Sequence, residues 1–375
     1  MSRDVLRVLT EARPVELDPE ARVDEATRTA ELARAMAGTR DAHRERARRV
    51  RPVWVLGLAS PTAADALVAT AVVRADPAAP RGPAPVALDA RTVLLAAADR
   101  TAATPEGTGA YWHSRTLHRS HFPVTEGGRR YTIEVTQATD SWTPARPKGK
   151  QWSRTQNLGF RPASAADRAA WQKAGSPTRV KVSVPISPKL KRLKPAVYEA
   201  APGKAQVQSS PLVDGDKVYW IGRNVTMRQV RSLPTTPATL RKELLRWYEG
   251  HGTESNAPMP RDRWLFEVGG LLVTDLPVTA KTRAAAFRML ADLPGVRSIG
   301  KVRDAEGRPG VAVAAVERTP NGVLQRRLVI DPARGAALAS ETIVLEPAGI
   351  NAELPPNSLL GSQTFTTTWT DKPLS

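Results

Sequence analysis

Three histidines lie close together in the stretch 110–122, and histidine is both a metal ligand and a proton carrier near neutral pH. The pattern of residues there predicts a β-strand, in which successive side chains point to opposite faces. His113 and His121 then share one face, and His118 lies on the other. Three ligands of one metal ion cannot converge from that arrangement, so we predict no metal site and interpret the histidines as surface or hairpin-facing groups.

The strongest compositional signal is the positive charge between residues 146 and 204, where 14 Lys and Arg residues stand against Asp167 and Glu199. Its densest part predicts a patch for an anionic partner, and two nearby tryptophans are candidate stacking aromatics. Three interpretations stay open: a solvated basic face, contact with an anionic wall polymer or lipid surface, and a nucleic-acid groove. The candidate ligand-binding residues are Lys189, Lys191, Arg192, Lys194, Trp142 and Trp152.

No catalytic residue follows from the sequence. The acidic residues Glu134, Asp140, Asp167 and Asp304 occupy predicted turns, strands or caps, and none has a partner at a recognisable spacing. The common motifs for phosphate loops, dinucleotide binding, serine hydrolases and zinc proteases do not occur. We therefore predict no cofactor and favour a non-enzymatic function, with a hydrolase of unfamiliar site as an alternative.

Composition narrows the class of protein. The chain of 375 residues has room for two or three folded units, and its 41% of hydrophobic residues is ordinary for a globular protein. A net charge of +18 attracts anionic partners. The absence of cysteine excludes disulfides, thiolate metal sites and cysteine nucleophiles.

The stretch 53–73 is apolar enough to predict a transmembrane helix, since 15 of its 21 residues are Ala, Val, Leu or Trp. As a helix it would rise about 31 Å, which matches the hydrocarbon core of a bilayer. Six arginines between residues 40 and 51 predict that the N-terminus stays in the cytoplasm and the C-terminal part lies outside. The residues assigned to the membrane are Trp54, Leu56, Leu58, Asp65, Leu67 and Val72.

The remaining pattern predicts an α+β fold, in which helices pack on one face of a curved antiparallel sheet, preceded by a helical tail and one candidate transmembrane helix. Asp89, Ser164 and Thr236 are candidate helix N-caps, and four strands follow Val296. We predict a cytoplasmic tail over 1–52, a membrane helix over 53–73, a Pro/Ala-rich linker over 74–88, an exported domain over 89–346 and a C-terminal arm over 347–375.

Several motifs occur in an order that resembles a known set of proteins. LLAAADRTAA, YWHSRT, GGRRYTIEVTQATDSWTP, LGFRPASAADRAAWQKAGSP and MLADLPGVRSIGKVRDAEGRPGVAVA are similar to motifs of an uncharacterised actinobacterial family of single-pass membrane-anchored proteins. The resemblance implies an anchored architecture and no activity or site residue. The order of elements is also loosely similar to the curved-sheet domains of lipoprotein carriers and envelope-stress regulators, which hold an acyl chain or a peptide in the concavity of the sheet.

The sequence thus favours an actinobacterial membrane-anchored envelope protein with an extracytoplasmic binding or sensory domain, involved in signalling. Its expected partners are an anionic wall polymer or a lipid surface, and a cytoplasmic protein that binds the tail. The alternatives are a soluble, cytoplasmic basic protein that binds nucleic acid or another polyanion, and a regulator similar to anti-sigma factors. Nucleic acid is not the expected partner of an exported domain, and the sequence gives no oligomeric state.

Overall fold

Antiparallel strands are the main regular secondary structure of the computed structural model, which describes residues 89–182, 195–254 and 257–374. The strands are β1 (Tyr111–Glu126), β2 (Arg129–Pro144), β3 (Lys150–Pro162), β4 (Arg179–Val182), β5 (Ala196–Glu199), β6 (Gln206–Pro211), β7 (Lys217–Trp220), β8 (Arg223–Thr226), β9 (Arg297–Arg303), β10 (Pro309–Thr319), β11 (Gly322–Asp331), β12 (Ala336–Pro347) and β13 (Leu359–Thr370).

Nine of these strands form one large curved sheet in the order β6-β3-β2-β1-β13-β12-β11-β10-β9. Each pair of neighbours is antiparallel. The remaining strands form two small hairpins, β4 with β5 and β7 with β8. The sheet therefore consists of two runs of strands that meet where β13 pairs with β1.

A tight turn sets the pairing of β1 with β2. Gly127 and Gly128 both have positive φ, +55° and +69°, as the two-residue turns of twisted hairpins require. Glu126 consequently pairs with Arg129, and the ladder continues without a shift to Tyr111 opposite Pro144. This unbroken register decides which side chains of the two strands stand next to each other.

Helices are few and short. The predicted N-caps Asp89, Ser164 and Thr236 are confirmed, because the side chain of each accepts a hydrogen bond from a backbone N–H in the first turn of its helix. The helices are α1 (Ala90–Ala102), α2 (Ala165–Lys173), α3 (Met227–Arg231), α4 (Pro237–Leu245), α5 (Arg261–Thr274) and α6 (Ala280–Ala291).

The apolar core lies between these helices and one face of the sheet. Its larger part joins Leu94 of α1, Trp264 of α5 and Phe287 of α6 to Val313 and Ile330 of the sheet. A smaller cluster covers the other end of the same face, where Ile133 and Phe160 pack with Val180 of β4 and with Trp171 of α2. No helix of the described ranges packs on the opposite face.

The turn between β9 and β10 folds over that opposite face. Arg308 donates hydrogen bonds to the carbonyl oxygens of Leu338 (2.8 Å) and Phe365 (3.2 Å), which belong to β12 and β13. Asp304, whose side chain is fully buried, accepts hydrogen bonds from the Arg308 side chain and from backbone N–H groups of the turn. The turn therefore closes one end of the face and leaves the part over β1, β2 and β3 accessible.

The predicted α+β fold class is wrong. The described part of the chain is dominated by antiparallel sheet and has few helices, because two segments without a clear pattern are long strands. Residues 150–162, which were not predicted as a strand, form β3, and residues 359–370, predicted to lie in an extended arm, form β13 in the middle of the sheet. Both segments carry Ser, Thr, Asn or Gln on the two faces, so hydrophobic alternation does not mark them.

The predicted single-pass architecture is also corrected. None of the helices within 89–182, 195–254 and 257–374 is long and apolar enough to cross a bilayer, and the longest of them has 14 residues. This finding contradicts the predicted transmembrane anchor and the location with the domain outside the membrane, and neither is carried further. The segment 53–73, with Trp54 to Val72, and the predicted tail and linker lie outside the described residues.

Candidate functional site

The accessible face over the middle of the sheet brings histidines, arginines and carboxylates of neighbouring strands together. We call it the open face and define it by the side chains that the register places there. They are His113, Arg115, Leu117, Arg119 and His121 of β1; Glu134, Thr136, Ala138, Asp140 and Trp142 of β2; Trp152, Arg154, Gln156 and Arg161 of β3; and Ser362, Thr364, Thr366 and Thr368 of β13.

Two carboxylates organise this face, and each contacts one histidine and one arginine of β1. At the end near Tyr111, the outer cluster centres on Asp140, which lies 3.0 Å from His113 Nε2 and 3.0 Å from Arg115 Nη1. The side chain of Arg115 is 46% exposed. The outer cluster is therefore open to solvent on its arginine side.

The two candidate tryptophans lie beside the outer cluster. Trp142 is opposite Trp152 in the register, and its ring stacks on the His113 imidazole with a centroid distance of 4.6 Å. Trp142 is buried and Trp152 is half-buried. Trp152 is thus the one of the two whose ring has surface left for a ligand, next to the exposed Arg154.

The inner cluster repeats the same residue types in reverse order along β1. Glu134 lies 3.8 Å from Arg119 Nε and 3.5 Å from His121 Nε2. Arg161 of β3 binds the same carboxylate more closely, with Nη2 and Nε at 2.8 Å and 2.9 Å from Oε1. The side chains of Arg119 and Glu134 are only 9% and 10% exposed, so this cluster is largely withdrawn from water.

The inner cluster contains polar atoms that lack hydrogen-bond partners. Arg119 Nη1 donates to Thr364 Oγ1 at 3.4 Å, but within the described part of the chain Arg119 Nε has no acceptor. The hydroxyl of Ser362, directly opposite Arg119 in the register, and Nδ1 of His121 are also buried without a partner among these residues. Buried polar groups are nearly always paired, so such a cluster marks a place for a ligand or for water.

A third carboxylate borders the inner cluster on the far side of β13. Glu341 of β12 is opposite Ser362 in the register. Nη1 of Arg327 on β11 lies 3.8 Å from Oε2 of Glu341. Burial raises the pKa of Glu341; the charge of Arg327 opposes this shift, and the nearby Asp304 adds to it. A carboxylate and an arginine thus stand next to each other on β2 and β1 and again on β12 and β11, with Ser362 of β13 between the two pairs.

The carboxylates of the two clusters are held in the charged form. Burial alone raises the pKa of Glu134, but the hydrogen bond from His121 and the charges of Arg161 and Arg119 outweigh it and keep this pKa below its usual value. For Asp140, burial again acts upward, and His113 with Arg115 brings the pKa below its usual value. Both sites therefore keep their negative charge at neutral pH.

His118 behaves differently because it lies on the helix-covered face. Burial lowers its pKa to about 4, so it is neutral at pH 7. The prediction that His113 and His121 share a face and that His118 does not is confirmed by the register and by the carboxylate contacts of the first two. No group of His and acidic residues within the described ranges is arranged to hold a metal ion.

The sequence-predicted basic patch cannot be compared with this site. Lys189, Lys191, Arg192 and Lys194 lie outside the described residues. The open-face arginines and their carboxylates were missed at the sequence level, although a signal was present. Counting back from the two glycines of the β1–β2 turn gives the pairs of His113 with Trp142 and His121 with Glu134.

Comparison with known proteins adds no assignment. No family model matches the chain, and no curated protein matches it. The case for a function therefore depends on the open face.

Proposed function

We propose that this protein binds an anionic polymer along the open face, across β1, β2 and β3. The observation that carries the proposal is the excess of arginine there. Four arginines, Arg115, Arg119, Arg154 and Arg161, stand against the two carboxylates Glu134 and Asp140. Arginine is the residue best suited to carboxylate and phosphate groups, because its planar guanidinium offers several donors in a fixed geometry.

The shape and surroundings of the face favour an extended ligand. The central carboxylates of the two clusters, Asp140 and Glu134, are six positions apart along β2, which corresponds to about 20 Å. Between them lie Leu117 and Ala138, and the exposed hydroxyls of Thr366 and Thr368 border the track. A chain molecule with repeated negative charges can reach both clusters at once.

The net charge of the protein supports the same proposal. With +18 overall, the molecule attracts polyanions over a distance of about one Debye length before any specific contact forms. The exposed residues Arg146, Lys148 and Lys150, close to the outer cluster at the β2–β3 connection, add to the local positive potential. A ligand guided by this potential would arrive at the end of the open face where Trp152 is accessible.

The test measures the affinity of the full chain for labelled poly-L-glutamate, polyphosphate and single-stranded DNA. Fluorescence anisotropy gives each affinity at several salt concentrations. We expect at least one polymer to bind with an affinity that falls steeply with salt. The double variant Arg115→Ala/Arg154→Ala should reduce the affinity about tenfold and flatten the salt dependence. Arg246→Ala is the matched control, because Arg246 is exposed at the end of α4 and carries the same charge.

Two results would reject the proposal. One is the absence of salt-dependent binding of all three polymers to the wild-type chain. The other is an equal loss of affinity in Arg246→Ala and in either single open-face variant, because the overall charge and not the open face would then determine binding.

A further inference from the structure

We infer that the open face selects carboxylate groups carried on side branches of the polymer, and that Arg119 binds them inside the inner cluster. The inference deepens the proposed function and rests on it, because it names the chemical class of the polyanion. Poly-glutamate and polyuronate chains belong to this class, whereas polyphosphate and nucleic acid do not.

Among the described residues, Arg119 is the one arginine of the inner cluster and its neighbour Glu341 that has no carboxylate of its own to neutralise it. Glu134 is already bound by Arg161 through two contacts shorter than 3.0 Å, and Glu341 has Arg327 beside it. Arg119 is 3.8 Å from Glu134, beyond hydrogen-bond distance, and it is nine-tenths buried. A buried guanidinium without a close acceptor is costly, and a single negative charge from a ligand would remove that cost.

The unpaired donors of the inner cluster are arranged for a planar acceptor with two oxygens. Thr364 accepts a hydrogen bond from Nη1 of Arg119. The edge formed by Nε and Nη2 makes no hydrogen bond with the described residues, and its Nε lies 3.8 Å from Glu134 Oε1. This edge is the side of arginine that pairs with carboxylates through two parallel hydrogen bonds. The hydroxyl of Ser362, on the neighbouring strand, is available as a further donor to the same group.

The burial of the inner cluster favours a carboxylate over the phosphate groups of other polyanions. Ser362 and Thr364 are 4% and 2% exposed, so only a small ligand group can meet Arg119. A side-chain carboxylate ends in its two oxygens and is attached by one bond, so it can enter. A phosphodiester is flanked by the polymer on both sides and cannot, and a terminal phosphate dianion would carry more charge than the one surplus cation compensates, with Glu134 and Glu341 close by.

The first experiment uses acetate as the probe of the carboxylate site, at constant ionic strength maintained with chloride. Thermal unfolding of the full chain should shift upward with acetate and saturate. In Arg119→Lys, which keeps the charge but loses the two-pronged edge, we expect the apparent Kd for acetate to rise at least about tenfold. Ser362→Ala should raise it about threefold, and Arg246→Lys, at the exposed end of α4, should leave it unchanged.

The second experiment compares poly-L-glutamate with polyphosphate at equal ionic strength. We expect tighter binding of poly-L-glutamate and a loss of that preference in Arg119→Lys, or in Ser362→Ala if the first variant does not fold. A linear, unsaturable effect of acetate on the wild-type chain, or an equal affinity for both polymers, would overturn the inference. In that case salt-dependent binding with loss in Arg115→Ala/Arg154→Ala would still support the proposed function, so the two failures are distinguishable.

Discussion

The outer and inner clusters of the open face contain the same residue types but differ in their contact with water. Each has a carboxylate on β2 and a His–Arg pair on β1, in the order His113-Arg115 in one and Arg119-His121 in the other. The arginine side chain is 46% exposed in the outer cluster and 9% exposed in the inner one. The β1 arginine is therefore solvated at one end of the strand and desolvated at the other, although the carboxylates of both clusters are buried.

The comparison explains why, among the described residues, the β1 arginine of the inner cluster has a buried, unpaired nitrogen and that of the outer cluster has none, although Trp142 Nε1 beside the outer cluster is also buried without a partner. Water can complete the hydrogen bonds of an exposed arginine, and exposed ion pairs contribute little to stability. A buried arginine cannot hydrogen-bond to bulk water in this way. The unpaired Nε of Arg119 therefore lowers the stability of the fold, and a ligand that accepts a hydrogen bond from it can offset this loss. Burial, rather than residue identity, separates a general electrostatic surface from a specific site.

The largest expected effect comes from removing the carboxylate of each cluster in turn. Glu134→Gln removes the negative charge beside the buried Arg119, and we expect the free energy of unfolding to fall by about 3 kcal/mol, although Arg161, which is 65% exposed, can turn to water. Asp140→Asn should lower it by about 1 kcal/mol, because Arg115 can turn to water. Urea unfolding at pH 7 measures both values.

A control keeps that measurement interpretable. Glu353 and Arg130 form an ion pair in which both side chains are more than half exposed, so Glu353→Gln should change the free energy of unfolding by less than about 0.5 kcal/mol. If Asp140→Asn proves as costly as Glu134→Gln, the difference in burial between the clusters has no energetic meaning.

The second effect compares the two faces of β1 through their histidines. The pKa of His118 is about 4 in the folded chain against 6.5 for an unperturbed histidine, so the unfolded chain takes up a proton first as the pH falls. Its contribution to stability is complete above pH 6.5 and is lost between pH 6.5 and pH 4, by up to about 3 kcal/mol.

The variant His118→Gln should remove most of this slope. Denaturant unfolding measured between pH 7 and pH 4 would show it, with the wild-type curve as reference. Glu134 and Asp140, whose pKa values are lowered by their partners, contribute stability that persists to more acidic pH and is lost as the pH falls through their folded pKa values. An unchanged slope between pH 6.5 and pH 4 in His118→Gln would show that the helix-covered histidine is hydrated.

The smallest effect concerns polymer binding at the outer cluster. Asp140→Asn removes one negative charge from the open face and frees Arg115, so the affinity for poly-L-glutamate should rise about threefold at low salt and less at high salt. Anisotropy titrations at two salt concentrations measure the change. A decrease in affinity would mean that Asp140 positions Arg115 for the ligand and does not compete with it.

Sequence patterns predicted the helices better than the sheet, because helix ends carry local signals. The capping side chains of Asp89, Ser164 and Thr236 act on backbone groups within three residues, so the sequence alone contains the interaction. The strand β13 contains no comparable signal. Its run of threonines between Thr364 and Thr370 suits a strand, but without alternation of hydrophobic and polar residues it also matches an exposed arm.

The candidate site could be predicted in part. The alternation of strand residues was enough to place His113 and His121 on the same face of the sheet. Their carboxylate partners on β2 follow when the pairing of the two strands is counted from the two-glycine turn. The contribution of Ser362 could not be found in this way, because it depends on pairing between strands about 240 residues apart in sequence. Long-range pairing of that kind leaves no local trace.

The place of β13 has a consequence for the synthesis of the protein. This strand, Leu359–Thr370, joins β1 to β12, so it connects a group of four strands on one side with another group of four on the other. Before it leaves the ribosome, both groups present an unpaired edge of long strand, which is a surface prone to aggregation. A nascent chain of this protein should therefore depend on chaperones until β13 has emerged from the ribosome, and a premature stop codon before Leu359 should yield aggregates rather than a smaller folded product.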